Sequence, residues 1–96
     1  MNRFLLSPAA QGDLELIWDY TNEGWGPTQA ESYIREIQGA IQRVALNPLI
    51  GRACDEVRPG YRKVAVGSHV LFYRITDDII IVIRILHGRM DFDRNL

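Results

Sequence analysis

The sequence predicts an α+β domain: one small β-α-α-β-β-β unit over residues 1–96, with a helical hairpin on one face of an antiparallel sheet. Three observations carry that expectation. The stretch from Arg62 to Met90 holds three strand-like runs parted by turn residues. Apolar residues recur at intervals of three and four between Pro27 and Leu46. Helical patterns come first in the chain and strand patterns last, so the helices are free to cover the sheet.

The elements follow in order. Asn2 to Leu6 is a short apolar run that reads as an edge strand. Ser7 suits an N-cap, and Pro8 suits the first helical position, where its missing N–H leaves nothing unpaired. The helix then sets Ala10, Leu14, Ile17, Trp18 and Thr21 on one stripe, with Gln11, Asp13, Glu15 and Asp19 mostly on the other side. Trp18 is expected in the core. Asn22 to Pro27 holds two glycines and a proline and is expected to end the helix as a loop. Trp25 in that loop is either a core plug or a binding anchor.

The second helix spans Pro27 to Leu46, with Ala30, Tyr33, Ile34, Ile37, Ala40, Ile41, Val44 and Ala45 as its apolar face. Asn47-Pro48 stops it, and Leu49 to Gly60 reads as loop. Strands are predicted over Tyr61–Val66, His69–Thr76 and Ile79–His87, joined at Gly67-Ser68 and Asp77-Asp78. Periodicity alone does not distinguish the apolar run Ile79–Leu86 from a buried helix. Its short length, its Ile/Val content and the acidic turn before it decide for strand. Gly88 to Leu96 reads as a polar tail carrying Arg89, Asp91, Asp93 and Arg94.

Composition sets the class. Hydrophobic residues at 47% and charged residues at 24% are ordinary for a folded domain. No stretch approaches the ~20 apolar residues of a membrane span, and no secretory signal is evident, so a cytoplasmic location is expected. Cys54 lacks an internal partner and has Asp55 and Glu56 beside it, which favours an inert thiol. The net charge of −1 divides unevenly: residues 1–48 carry −3 and residues 49–96 carry +2. Ten of the eleven basic residues are arginine, the side chain suited to bidentate contact with phosphate or carboxylate.

The residues offer little for catalysis. There is no helix-borne histidine pair, no Cys-x-x-Cys and no glycine-rich phosphate loop, so neither a metal nor a cofactor is expected. Ser7 and Ser68 occupy turn positions where serine caps backbone. His69 and His87 fall on neighbouring strands, either as hydrogen-bonded strand-end residues or as general bases that would still need an acid. Arg74, Arg84 and Arg89 lie on or just after the last two strands. They are either solvated or ion-paired arginines, or an electropositive surface for nucleic acid or an acidic partner.

Four stretches in order carry a resemblance over nearly the whole chain: LSPAAQGDLELIWDYT, GWGPTQAESYI, ALNPLIGRACDEVRPGYRKVAVGSHVLFYRI and VIRILHGRMD. Together they resemble toxins of the ParE branch of the RelE/ParE superfamily of bacterial toxin–antitoxin modules. The resemblance implies the β-α-α-β-β-β toxin fold and a binding inhibitor of DNA gyrase that traps its cleaved-DNA state, with DNA met only through gyrase or the antitoxin complex. Arg74, Arg84, His87, Arg89 and Met90 are the residues it suggests for target contact. A cognate antitoxin is implied as well, received by the helical hairpin (Trp18, Trp25, Tyr33 and Ile37) or by free sheet edges, in a hetero-oligomer. The alternative is a ribosome-dependent mRNA endoribonuclease of the RelE kind, or a non-toxic partner-binding relative. Arg89 and Arg62-Lys63 match the basic residues of RelE-like enzymes. Val70 stands where those tend to have a basic residue, and the tail DFDRNL lacks their tyrosine.

Overall fold

The last three strands form the antiparallel meander expected, and the rest of the chain assembles around it. The computed structural model describes residues 3–90 and 92–96, so Asn2 and Asp91 lie outside the described residues. Strand β1 (Arg3–Leu6) leads into α1 (Pro8–Trp25) and α2 (Pro27–Leu46). A 3-10 turn (Pro48–Ile50) and the two-residue strand β2 (Arg52–Ala53) follow. Next come β3 (Tyr61–Val66), β4 (His69–Thr76), β5 (Ile79–His87) and a short helix α3 (Phe92–Asn95). The sheet order is β1-β5-β4-β3-β2.

One edge departs from the antiparallel expectation. β1 pairs with β5 in parallel, Arg3 opposite Ile79 and Leu6 opposite Val82, which makes the sheet mixed. A parallel neighbour requires a long crossover, and the two helices plus the meander provide it.

Local chemistry explains the elements. Ser7 caps α1: its Oγ accepts from the Ala10 amide at 3.0 Å and donates to the Ile83 carbonyl at 2.6 Å. The same hydroxyl thus starts the helix and ties it to β5. Gly26, at φ 92°, ends α1 and opens α2, so the break is a single residue. The expected loop at Asn22 to Trp25 is instead the last turn of α1, and Trp25 is helical. An isolated Gly24 costs a helix only about 1 kcal/mol, which did not outweigh the continuing turn.

Two layers of apolar residues lie on opposite sheet faces. Ala10 and Ile17 of α1 and Ile37, Ala40, Ile41, Val44 and Ala45 of α2 pack on Val66, Leu71, Tyr73, Ile80, Val82 and Ile85. Ile37 is fully buried there, so the expectation that it meets an antitoxin is overturned: a partner would have to unfold the core to reach it. On the other face Cys54, Phe72 and Leu86 are covered by Val57, Tyr61, Phe92 and Leu96. The residues after Gly88 are therefore not simply a polar tail. Phe92 packs edge-on against Phe72 with ring centroids 4.8 Å apart, and Arg58 holds the Asp93 carbonyl at 2.7 Å. Burial pushes the Cys54 thiol up, Asp55 and Glu56 add to the rise, and Lys63 opposes it, consistent with an inert thiol.

Two tyrosine hydroxyls pin loops to the sheet. Tyr73 Oη accepts from the Gly51 amide at 2.9 Å and donates to the Pro48 carbonyl at 2.6 Å, fixing the segment after α2. Tyr33 does the same for the β3–β4 turn, where its Oη accepts from the Ser68 amide at 3.0 Å. Both approaches need glycine. A Cβ at Gly51 would come within 2.7 Å of the Tyr73 ring, and one at Gly67 (φ 56°) within 2.5 Å of the Tyr33 ring. Gly51→Ala is expected to lower stability by about 1–3 kcal/mol through overpacking. Gly67→Ala should cost more, since a strained φ adds to the clash. Urea unfolding of the two variants measures both effects.

Candidate interaction groove

The register of β4 and β5 slips between Phe72 and Tyr73: Phe72 faces Arg84 while Tyr73 faces Val82. Ile83 is the extra residue, so β5 carries a β-bulge. Beyond it the side chains change faces. Ile80, Val82 and Ile85 all point to the helices, and Leu86 points away.

A bulge frees backbone groups that need partners. β1 ends at Leu6, opposite Val82, so the outer edge of β5 past that point belongs to α1. Asp13 supplies the acceptor. Its carboxylate takes the Ile85 amide at 2.9 Å and two nitrogens of Arg84, Nε and an Nη, each at 2.8 Å. Asp13 is 7% exposed, although the sequence pattern set it on the polar side of α1. It occupies the buried stripe with Ala10, Ile17 and Thr21 because it meets a cation and an amide there. Hydrogen bonding to Asp13 pushes the Arg84 guanidinium above its ordinary range, with burial acting the other way. Arg84 also donates to the Asn95 carbonyl at 2.8 Å.

Beside this knot runs a groove of about 410 Å³ between α1 and the end of β5, lined by Leu16, Ile17, Tyr20, His87 and Met90 among others. A second hollow of about 260 Å³ continues it past Tyr20 and His87 to Trp25, Gln29 and Tyr33. Large apolar side chains stand open along it: Leu16, Tyr20 and Trp25 are each about two-thirds exposed and Met90 is 40% exposed. Tyr20 and Trp25 are themselves in contact, ring centroids 6.3 Å apart. Contiguous exposure of this kind on a small domain makes the groove a candidate interaction surface.

The strand ends contribute polar groups to the groove. His69 and His87 are directly opposed in the register, with ring centroids 5.3 Å apart. His69 Nδ1 lies 2.6 Å from Tyr33 Oη, and His87 Nδ1 accepts from the Arg89 amide at 3.1 Å. Burial, then the neighbouring His87, holds His69 below the usual histidine range, while Asp13 works in the opposite sense. Burial likewise pushes the Tyr33 hydroxyl up. No group of three or more metal-ligating side chains occurs among the described residues.

The sequence-derived residues separate in space. Arg84, His87 and Met90 meet at the groove, and Arg89 adjoins it through its amide. Arg84 is no free cation, however, because Asp13 binds it. Arg74 pairs with Tyr61 and Ile81 near the far end of the strands, away from the others. Trp18 is 36% exposed and so lies outside the core in which it was expected. Trp25 is exposed and so is not a core plug. Tyr33 is partly buried with its hydroxyl engaged, and Ile37 is inaccessible. Sequence reasoning missed Leu16 and Tyr20. Their signal was an apolar pair, four residues apart, off the buried stripe of α1.

The fold and groove define a small α+β domain with an open apolar groove beside its mixed sheet. A family model described as the ParE toxin of the type II toxin–antitoxin system parDE matches residues 4–92. The chain belongs to this ParE toxin family. It is 65% identical over 96 residues to Toxin ParE1 of Mycobacterium tuberculosis, covering 99% of this chain and 98% of that one. It is 43% identical over 91 residues to Toxin ParE1 of Caulobacter vibrioides, covering 95% and 94%. Its fold matches a solved chain titled "Chromosomal ParDE TA system from P. aeruginosa" with a TM-score of 0.79 at 22% identity, covering 91% of this chain and 96% of that one.

Removal of the groove's anchor should be costly. Asp13→Ala leaves a mostly buried guanidinium and a β5 amide without their acceptor, an expected loss of about 3–5 kcal/mol. Arg35→Ala removes an exposed i,i+4 pair with Glu31 (side chains 74% and 62% exposed) and should cost less than about 1 kcal/mol. Chemical denaturation of both variants checks the contrast.

Proposed function

We propose that this chain is a toxin that inhibits DNA gyrase by binding it and trapping its cleaved-DNA state. It acts in the cytoplasm and is neutralised by a cognate antitoxin seated in the groove. The observation that carries the antitoxin half is the open apolar wall of Leu16, Tyr20, Trp25 and Met90, a ready seat for an amphipathic segment. The relatives named ParE toxins along nearly the full chain support the toxin half. Arg89, His87 and Met90 adjoin that wall, so an antitoxin in the groove would also cover the groups proposed for target contact. Neutralisation is then simple occlusion.

Two observations weigh against the ribosome-directed alternative. The Arg62 guanidinium donates to the Gly51 carbonyl at 3.0 Å and the Leu49 carbonyl at 3.4 Å, which engages it in holding a loop. Val70 packs with Phe72 and Leu86, where a phosphoryl-transfer site would need a cation.

The test mixes the purified chain with gyrase, plasmid DNA and ATP. Linear plasmid that appears only with gyrase, and is suppressed by the antitoxin, is the expected result; absence of linear DNA from chain that stops growth in cells would sink the gyrase reading. Arg89→Glu should raise the concentration needed for linearisation by about tenfold or more. Leu16→Glu should instead weaken antitoxin protection by a similar factor.

A further inference from the structure

The groove is apolar along α1 and polar at the strand ends, where His69 and His87 face each other across β4 and β5. The hydrogen-bond network fixes the His87 tautomer and lets His69 Nδ1 either accept or donate. Tyr33 Oη has a single proton and two acceptors in reach, His69 Nδ1 at 2.6 Å and the Val66 carbonyl at 3.3 Å. If Tyr33 gives its proton to His69, Nδ1 accepts and Nε2 carries the ring proton; if it gives it to Val66, Nδ1–H donates to Tyr33, so the contact fits either tautomer. His87 Nδ1 accepts from the Arg89 amide, so its ring proton is on Nε2. The pair therefore offers two Nε2 positions able to donate at the polar end of the groove. A partner that covers the wall strips water from both donors. Leaving them unpaired would cost roughly tenfold or more in affinity for each. Asp13, the carboxylate that acts on His69 from α1, already holds Arg84 and the Ile85 amide. Asp13 is thus committed, and a partner's carboxylate can serve as the acceptor.

We propose that the antitoxin segment in the groove presents a carboxylate side chain that accepts from both Nε2–H groups, and that its docking places a solvent proton on His69. This rests on the antitoxin reading above. The network suits His69 to receive the proton. With Nδ1 protonated, it donates to Tyr33 Oη, and the tyrosine hydroxyl turns to the Val66 carbonyl while still accepting from the Ser68 amide. No hydrogen bond is lost. Protonating His87 would instead expel the Arg89 amide from its Nδ1. His69 is thus the ring whose hydrogen bonds survive protonation. The remaining groups around the pair are Tyr20 on α1, Tyr33 on α2 with Glu36 acting on it, Arg84 bound to Asp13, and Arg89 just past β5.

The sign follows from linkage. In the free chain His69 sits low, held there by burial first, and is neutral at pH 7. An incoming carboxylate favours the charged imidazole and raises its pKa in the complex. Affinity then grows as pH falls through that raised value toward the lower one of the free chain, by up to about tenfold per pH unit for one proton, and the gain is lost as pH rises through the raised value.

Calorimetry on the full chain and its antitoxin, in two buffers of different ionisation enthalpy at pH 6.5, counts the protons directly and needs no variant. Uptake of an appreciable fraction of one proton is expected. Histidine NMR titration of the same complex should show His69 raised by a unit or more and His87 still in its Nε2–H tautomer. His69→Gln should flatten the pH dependence of Kd between pH 6 and 8. A complex that forms without proton uptake, or with the His69 titration unmoved, overturns the carboxylate seat and leaves the antitoxin reading standing. Failure of any complex to form overturns both.

Discussion

The carboxylate of Asp13 is the constraint on which the groove depends. It closes the sheet at its bulge, taking the Ile85 amide just past the register shift while holding Arg84 in a two-nitrogen contact. That knot sets how α1 lies against β5. It also reaches the C-terminal segment, since Arg84 passes on to the Asn95 carbonyl. A carboxylate 7% exposed is tolerable only because every donor near it is matched. Ser7 reinforces the junction one turn earlier, binding the Val82 carbonyl through its amide and the Ile83 carbonyl through its hydroxyl. Helix and strand are thereby joined by polar contacts at the place where sheet pairing stops.

With α1 fixed in this way, its outer edge and the end of β5 form the two walls of an open groove. The core takes Ala10, Ile17 and the half-buried Leu14 from the helix, which leaves Leu16, Tyr20 and Trp25 turned outward. On the opposite sheet face the apolar surface is closed by the chain itself, through Phe92, Leu96 and Val57. The contrast is informative. One surplus apolar surface has an internal cover and the other does not, which directs the search for a partner to the groove.

Much of the fold was legible from short-range chemistry. The bounds of α2, β3, β4 and β5 follow from apolar spacing and from the residues that interrupt it: Pro27, Asn47-Pro48, Gly67-Ser68 and Asp77. The Ser7-Pro8 start of α1 was equally plain, because capping is a contact between near neighbours. The end of α1 was less so, since Gly24 resembles a breaker yet costs too little to act as one. The site was legible only in part. Histidines at the paired ends of two strands were visible, whereas the bulge that turns Ile85 and His87 toward the helices was not. Asp13 was placed on the polar side because a charge on a buried stripe is improbable until its partner, 71 residues away, is known.

The sequence by itself determined the element order, the helical hairpin and the three-strand meander, because each rests on patterns within a few residues, whereas the toxin-like class rests on four stretches in order along nearly the whole chain. The tertiary structure decided the rest. It set the parallel pairing of β1 with β5, buried Asp13 with Arg84, folded the C-terminal segment over the back of the sheet and brought Leu16, Tyr20 and Trp25 beside His69, His87 and Met90. These are contacts between residues far apart in the chain. They are selected by which donors, acceptors and apolar faces remain unmatched once the local elements have formed, and no local pattern records that.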